Sequence, residues 1–268
     1  MNHAVAYRVL ARNLSHASEN KIHDDRVARR FGFEGALVPG VEIYAYMTHL
    51  AAARWGVDWL ERGSAECRFF KPVYDGRFVD VSASATDAAL ALTVECDGAH
   101  CASGAATLAN DDAEASSAAP AAPPPTPAPE PAQRPDADEI SLAPGRRMSS
   151  PPLHLTADYL REYLTGIGET ETLYAREQLV HPALMLRLAN AALKTNVKLG
   201  PWIHAASSIR HCGLAHAGAS LQAHAQVTAN YTRKGHHFVD LDVIIVADAA
   251  RAIAQLRHTV IYRLRQTD

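Results

Sequence analysis

The pattern of apolar and polar positions divides the chain into segments with a helical period and segments with a strand period. From Val38 to Leu50 nearly every position is apolar, and a helix without a polar face belongs in the interior of a domain. Pro39 has no backbone N–H to lose in a first turn and predicts where this helix begins. Around it the apolar period changes to two, which is the spacing of strands. We therefore expect a buried helix wrapped by a sheet.

In the first half, alternating apolar positions predict strands at residues 3–12, 65–69, 79–85 and 90–94. Asp75-Gly76 and Asp97-Gly98 fall between these runs and are typical of hairpin turns. Asp24 or Asp25 can cap a short helix that runs through Arg30. The expected arrangement is a long antiparallel meander with one central helix.

The second half repeats this order. A helix capped by Thr156 is predicted to reach Leu164, and Pro182 opens another apolar helix. Four strands are predicted at residues 202–214, 220–231, 236–246 and 251–264. Turns are expected at Gly218 and Lys234-Gly235. Each half is thus predicted to be a helix wrapped by an antiparallel sheet.

Between the halves, residues 110–152 are dominated by Ala, Pro, Ser and acidic residues, with APAAPPPTPAPEPAQRP at the centre. A segment so poor in large apolar side chains cannot offset its ordering entropy, and its prolines favour extended backbone. The predicted division is a first domain at 1–110, a Pro/Ala-rich linker at 111–152 and a second domain at 153–268.

Length and charge narrow the class of partner. The chain has 268 residues, 48% of them hydrophobic, and a net charge of −3, so no broad positive field attracts nucleic acid or an anionic membrane. No apolar run reaches the roughly eighteen residues of a membrane span. The cysteines show no C-x-x-C spacing, and residues 1–10 carry no basic segment ahead of a long apolar core. We expect a reduced, cytoplasmic protein that binds neither nucleic acid nor membrane.

The segment from Ala17 to Gly40 resembles the signature of MaoC-like hydratases within the hotdog thioester-enzyme superfamily. That signature reads G-D-x-N-P-I-H, followed by a G-F-x-G loop and an H-G pair that starts the central helix. The corresponding residues are Ala17-Ser18-Glu19-Asn20-Lys21-Ile22-His23, Gly32-Phe33-Glu34-Gly35 and Pro39-Gly40. His23 falls on the family's His, whereas Ser18 stands where the family has Asp. The resemblance covers nearly the whole chain outside the proline-rich segment and implies an α+β double hotdog, with two tandem hotdog folds.

The second half matches the same frame more faintly, from Gly168 to Tyr174. Glu169 replaces the family's Asp and Tyr174 replaces its His, and His181-Pro182 falls on the H-G pair. Neither half has both members of the Asp/His pair. For Glu169 and Tyr174 the favoured interpretation is structural, with a space-filling ring and a solvated carboxylate.

The resemblance implies an acyl-CoA or acyl-carrier thioester as the substrate and no cofactor. In the family the Asp and His activate one water for addition across an enoyl-CoA double bond. An imidazole can serve as acid and base in turn, so His23 could act alone while Ser18 or Asn20 orients the water. Glu19 is a weaker candidate, because one step along an extended segment reverses the side-chain direction. The N–H groups of Gly40 and Val41 at the helix start would polarise the thioester carbonyl.

The expected function is that of a MaoC-like enoyl/3-hydroxyacyl thioester hydratase or dehydratase with an atypical site. Two alternatives remain open: a thioesterase on the same fold, and a non-catalytic module that binds acyl thioesters. A structural role for His23 as an ordinary loop histidine is also open. No metal is expected, because the fourteen histidines form no H-x-x-x-H on a predicted helix. The protein is expected to be a monomeric double hotdog or a homodimer.

Overall fold

The computed structural model describes residues 5–86, 88–108, 120–121 and 123–265, and for Val5 the backbone alone. The helices are α1 (Asp25–Arg30), α2 (Gly40–Arg62), α3 (Ala157–Ile167), α4 (Leu173–Arg176) and α5 (Ala183–Lys194). The strands of the first half are β1 (Val5–Leu10), β2 (Ser64–Phe69), β3 (Phe78–Ala85), β4 (Ala89–Cys96) and β5 (Ala99–Thr107). Those of the second half are β6 (Arg147–Ser149), β7 (Leu153–His154), β8 (Ile203–His211), β9 (Ser220–Arg233), β10 (His236–Ala247) and β11 (Arg251–Arg263).

The strands form one antiparallel sheet that runs through both halves. Its order is β1-β3-β4-β5-β2-β8-β11-β10-β9-β6, and β7 pairs with β9 outside this path. The pairing of β2 with β8 joins the two halves. Each half therefore contributes a sheet of the same order around its own central helix, α2 or α5, and the core is continuous between them.

The local rules placed most elements correctly. The Asp24 side chain caps α1 by accepting the Val27 N–H at 3.0 Å, and Thr156 caps α3 by accepting the Tyr159 N–H at 3.1 Å. Pro39 and Pro182 directly precede the central helices, as predicted. Within the described ranges, no helix is both long and apolar enough to cross a membrane.

The first half is not the meander that the sequence suggested. β3 pairs with β1 and β4, whereas β2 pairs with β5 and β8. Asp75-Gly76 is consequently a turn that precedes β3 and does not connect a hairpin. Asp97-Gly98 does close the hairpin between β4 and β5, with φ of 50° and 73° as such a turn requires. Alternation along a strand shows which face is buried but does not identify the strand with which it pairs.

Three strands were missed, and one of them is β7, which has only two residues. β5 consists of small residues with little alternation, so its pattern was too weak to recognise. β6 lies inside the predicted linker range, yet it pairs with β9 at the edge of the sheet. Residues 3–4 of the predicted first strand, and residues 109–119 and 122 at the start of the linker, lie outside the described residues. The three-part domain division stays a prediction.

Candidate active site

His23 ends a single 3-10 turn (Lys21–His23) and lines a cleft of about 540 Å³. Its Nδ1 lies 2.7 Å from the Leu37 carbonyl oxygen. Because a carbonyl can only accept, the proton lies on Nδ1 and the lone pair of the neutral ring is on Nε2. Burial lowers the pKa of His23, and the Leu37 hydrogen bond opposes this only in part. The ring is therefore neutral at pH 7, and Nε2 can accept a proton.

Asn20 ties this ring to the second half of the chain. Its Nδ2 lies 3.4 Å from His23 Nε2 and donates to the Trp202 carbonyl at 2.9 Å. Its Oδ1 accepts the N–H groups of Ile22 and Trp202, both at 3.3 Å. Asn20 is buried, so its amide holds the His23 loop at a fixed distance from the start of β8.

The rest of the cleft is polar. Its other lining residues are His16, Asp24, Asp25, Arg29, Glu34, Gly35, Ala36, Tyr74, Asp75 and Arg77. One oxygen of Asp25 accepts the Ala36 N–H at 2.7 Å, and one oxygen of Asp75 accepts the Asn13 N–H at 2.7 Å. Such walls can hold water beside His23.

Ser18 and Glu19 do not meet the His23 ring. The Ser18 hydroxyl accepts the Asn20 N–H at 3.1 Å in a local turn. Glu19 is exposed and pairs with Arg134 of the proline-rich segment at 3.1 Å. Arg134 also donates to the Lys194 carbonyl at 2.7 Å. The structure thus brings His23 and Asn20 together and directs the Glu19 carboxylate elsewhere.

Gly40 and Val41 lie in the first turn of α2 and do not line the His23 cleft. A Cβ at Gly40 would lie 3.0 Å from His204 Nδ1 and 3.0 Å from Phe69 Cε2. The start of α2 is therefore closely packed. The structure does not bring the first-turn N–H groups and His23 into one cavity.

Glu169 of the second-half motif is buried against His49, with 2% of its side chain exposed. Its Oε1 lies 2.6 Å from His49 Nδ1 and accepts the N–H groups of Thr170 and Glu171 at 2.8 and 2.7 Å. Burial would raise the pKa of Glu169, but the contacts with His181 and His49 outweigh it and hold the pKa well below its usual range. Glu169 is a carboxylate at neutral pH. The expectation of a solvated side chain was wrong.

Tyr174 lies in the same region, with its ring centroid 4.7 Å from that of His181. Its hydroxyl is buried and has no hydrogen-bond partner among the described residues. Burial raises its pKa well above the ordinary value, so the phenol is neutral. The space-filling interpretation accounts for the ring but not for the unpaired hydroxyl.

His49 is the residue that the sequence analysis missed. It lies in α2, nine residues after Gly40, and reaches across to Glu169 of the other half. The signal was one imidazole within the largely apolar run from Tyr44 to Ala53. A polar residue on an otherwise apolar buried helix requires a partner.

A larger groove, of about 800 Å³, lies elsewhere, across strands of both halves and beside Pro123 and Pro124. None of the predicted site residues lines it. Within the described ranges, no three His, Cys, Asp or Glu side chains are grouped to hold a metal ion.

Comparison with known proteins shows the fold. No family model and no curated protein matches the chain. A solved structure named MaoC domain protein dehydratase, from Chloroflexus aurantiacus J-10-fl, matches with a TM-score of 0.66 and 11% identity, covering 98% of this chain and 96% of the other. Rv0216 of Mycobacterium tuberculosis, described as a double hotdog, matches with a TM-score of 0.64 and 14% identity, covering 97% of this chain and 96% of the other. A structure named as a thioesterase, from Novosphingobium aromaticivorans DSM 12444, matches with a TM-score of 0.52 and 14% identity, covering 85% of this chain and 89% of the other.

These similarities confirm the predicted α+β double hotdog. MaoC-like dehydratases and thioesterases share this fold, and at such identities the likeness extends to the fold alone.

Proposed function

We propose that this protein acts on an acyl thioester, adding water to an enoyl group or removing it from a 3-hydroxyacyl group, with His23 as acid and base in turn. The observation that carries the proposal is the fixed His23 ring. Its Nδ1 proton is held by Leu37, its Nε2 lone pair faces the Asn20 amide, and the residue lines a polar cleft. A buried neutral imidazole in this tautomer is a competent general base at neutral pH.

The reaction needs one proton to move twice. His23 Nε2 takes a proton from water, the water oxygen bonds to C3, and the π electrons move to C2. The imidazolium then returns the proton to C2. The attacking water would replace His23 Nε2 as the acceptor of one Asn20 Nδ2–H while the other stays on the Trp202 carbonyl, and Ser18 would act indirectly by holding the Asn20 backbone. The fold shared with a MaoC domain dehydratase supports this class of substrate.

Thioester hydrolysis is the second candidate. Among the described residues, the hydrogen-bond partners of the His23 ring are the Leu37 carbonyl and the Asn20 amide, so the base has no carboxylate partner. Hydrolysis requires one activated water and no protonation of carbon. A single imidazole meets this simpler requirement, and a thioesterase is among the structures with this fold.

Crotonyl-CoA distinguishes these functions in one experiment. Loss of the enoyl absorbance without free thiol indicates hydration, and release of CoA thiol indicates hydrolysis. We expect His23→Ala to lower kcat by about 10²- to 10⁴-fold, the usual contribution of a general base. His154→Ala is the matched control, because His154 is exposed and does not line the cleft.

Equal loss in both histidine variants would contradict the role of His23. Absence of turnover over a range of chain lengths, with acyl-CoA affinity unchanged by His23→Ala, would identify a binding module instead.

A further inference from the structure

Two stacked aromatic rings lie on the outer face of the sheet, at one end of β9 and β10. Tyr231 and Phe238 are paired across the two strands, and their ring centroids are 5.2 Å apart with an angle of 1° between the ring planes. Tyr231 is 37% exposed. We call these two residues the aromatic pair. An exposed aromatic ring offers a π-face on which a nucleic-acid base can stack.

Three exposed cations surround the hairpin turn beside the aromatic pair. Arg233 ends β9, Lys234 lies in the turn, and Arg265 follows β11. Arg265 lies against the turn, because a Cβ at Gly235 would be 3.2 Å from its Cγ and Cδ, and its N–H donates to His236 Nδ1 at 3.0 Å. None of the three cations forms an ion pair with another described residue. They remain available for the anionic groups of a ligand.

The nearby carboxylates are engaged with other groups. Asp240 lies on the same face of the sheet, two residues from Phe238, and accepts the Thr259 hydroxyl at 2.7 Å. Glu139 lies 3.2 Å from His237 Nδ1, and alternation along β10 places His237 on the opposite face from Phe238. The three cations therefore face solvent without a carboxylate bound to them, and guanidinium and ammonium groups of this kind bind phosphate.

A row of apolar side chains on this face of the sheet leads from the aromatic pair toward the His23 loop. The strand register aligns Tyr231, Phe238, Ile261 and Ile203 across β9, β10, β11 and β8. Neighbouring strands are about 4.8 Å apart, so three strand steps place Tyr231 roughly 14 Å from Ile203.

The inner end of this row lies beside the candidate base. Ile203 packs against the small core cluster that contains Ile22, the residue before His23. The Asn20 amide, 3.4 Å from His23 Nε2, also donates to the carbonyl of Trp202, the residue before Ile203. An extended pantetheine arm, which separates a thioester from its nucleotide, can cover a distance of this order.

We propose that the aromatic pair and the three cations bind the nucleotide end of a CoA thioester, with the adenine base stacked on Tyr231 and the phosphates on Arg233, Lys234 and Arg265. This inference rests on the proposed function and deepens it, because it names CoA as the carrier of the acyl group. The phosphopantetheine of an acyl carrier protein also has a phosphate for the cations, but it has no base for the exposed ring.

The first measurement is calorimetric binding of adenosine 3′,5′-bisphosphate, which carries the base of CoA without the pantetheine, to the full chain. We expect Tyr231→Ala to weaken binding about 5- to 100-fold, the usual contribution of base stacking, and Tyr231→Phe to preserve it. Arg233→Ala combined with Lys234→Ala should weaken binding about 5- to 10-fold and reduce its salt dependence. Arg257→Ala is the matched cation control, because its side chain is 86% exposed on the same face of the sheet.

The second measurement compares turnover of crotonyl-CoA and crotonyl-pantetheine, which carry the same thioester with and without the nucleotide. Tyr231→Ala and the double cation variant should raise KM for crotonyl-CoA by the same factors and leave kcat unchanged, because the nucleotide is bound equally in the ground state and the transition state. Both constants for crotonyl-pantetheine should stay as they are in the wild type.

The outcomes separate this inference from the proposed function. Equal bisphosphate binding in the wild type and all variants, or the same loss in Tyr231→Phe as in Tyr231→Ala, would overturn the nucleotide site. ATP binding tighter than bisphosphate binding, with KM for crotonyl-CoA unchanged in the variants, would indicate a site for free nucleotide. A KM effect confined to crotonyl-loaded acyl carrier protein would indicate a protein-docking surface. Either result would overturn the inference. A wild-type protein without turnover contradicts the proposed function alone, because weaker bisphosphate binding in Tyr231→Ala would still support the nucleotide site.

Discussion

Buried histidines show how strongly the surroundings of one residue set its charge. Both ring nitrogens of His211 are buried without a hydrogen-bond partner among the described residues, and the ring packs edge-on against Trp59 at 5.0 Å. Burial lowers the pKa of His211 from 6.5 to about 4. His258 lies between the Ser207 hydroxyl at 2.7 Å and the side-chain Oδ1 of Asn190 at 2.8 Å, and burial lowers its pKa to about 3. Both rings are neutral in the folded protein at pH 7.

The low pKa of His211 makes stability depend on pH. The unfolded chain takes up a proton at His211 near pH 6.5, whereas the folded protein does so only near pH 4. The unfolded state therefore binds more protons between these values. The stabilisation is fully present above about pH 6.5 and declines as the pH falls toward 4, by up to about 1.4 kcal/mol per pH unit. We expect His211→Phe to flatten this decline in urea unfolding at pH 7, 6 and 5.

His154→Gln is the control for this measurement, because His154 is exposed and should leave the pH dependence as it is. An unchanged slope in His211→Phe would contradict the assignment.

At the scale of single elements, β5 illustrates why small residues matter in a sheet. A Cβ on Gly104 would lie 2.0 Å from the Glu66 carbonyl oxygen of β2 and 2.7 Å from Met47 Cε of the central helix. The close approach of β5 to β2 and α2 thus requires glycine at this position. The same lack of side chains hid the strand from the alternation pattern.

Gly104→Ala should therefore destabilise the protein by about 1–3 kcal/mol, the usual cost of overpacking, or more because backbone must move. Gly200→Ala is the matched control, since nothing lies within 4 Å of its Cβ position. Chemical denaturation of both variants measures the difference. Similar midpoints for the two would show that β5 can shift away from β2 at little cost.

The sequence predicted the features that depend on neighbouring residues and missed those that depend on residues far apart in the chain. The start of α1 at Asp24 and of α5 at Pro182 depends on neighbours in sequence, and both were predicted. The pairing of β2 with β8, and the reach of His49 to Glu169, join residues more than a hundred positions apart. No local pattern encodes such partners. The exposed pairing of Glu19 with Arg134 was hidden for the same reason.

At the scale of the whole molecule, the two central helices are joined by a buried ion pair. Glu42 of α2 is fully buried and bonds Arg187 of α5, whose guanidinium also lies 4.8 Å from the Tyr163 ring centroid. Burial raises the pKa of Glu42, and the Arg187 charge opposes this. Each charge is tolerated only because the other is present.

Arg187→Met should cost about 3–5 kcal/mol, because it leaves the Glu42 carboxylate buried without its cation. Adding Glu42→Leu to the same chain should recover much of that loss, since an apolar pair replaces an unpaired charge. Unfolding of the two single variants and the double variant gives the coupling energy. If the effects of the two single changes simply add, the ion pair makes no net link between the halves.

The pairing of β2 with β8, which joins the two halves within one chain, has an evolutionary consequence. A homodimer built from two copies of one hotdog must carry every substitution twice, once on each side of its symmetry axis. Here both sides are encoded separately within one gene product, so a mutation on one side leaves its counterpart untouched. The first half can then have an imidazole, His23, where the second half has Tyr174, and the second half can have a carboxylate, Glu169, where the first has Ser18.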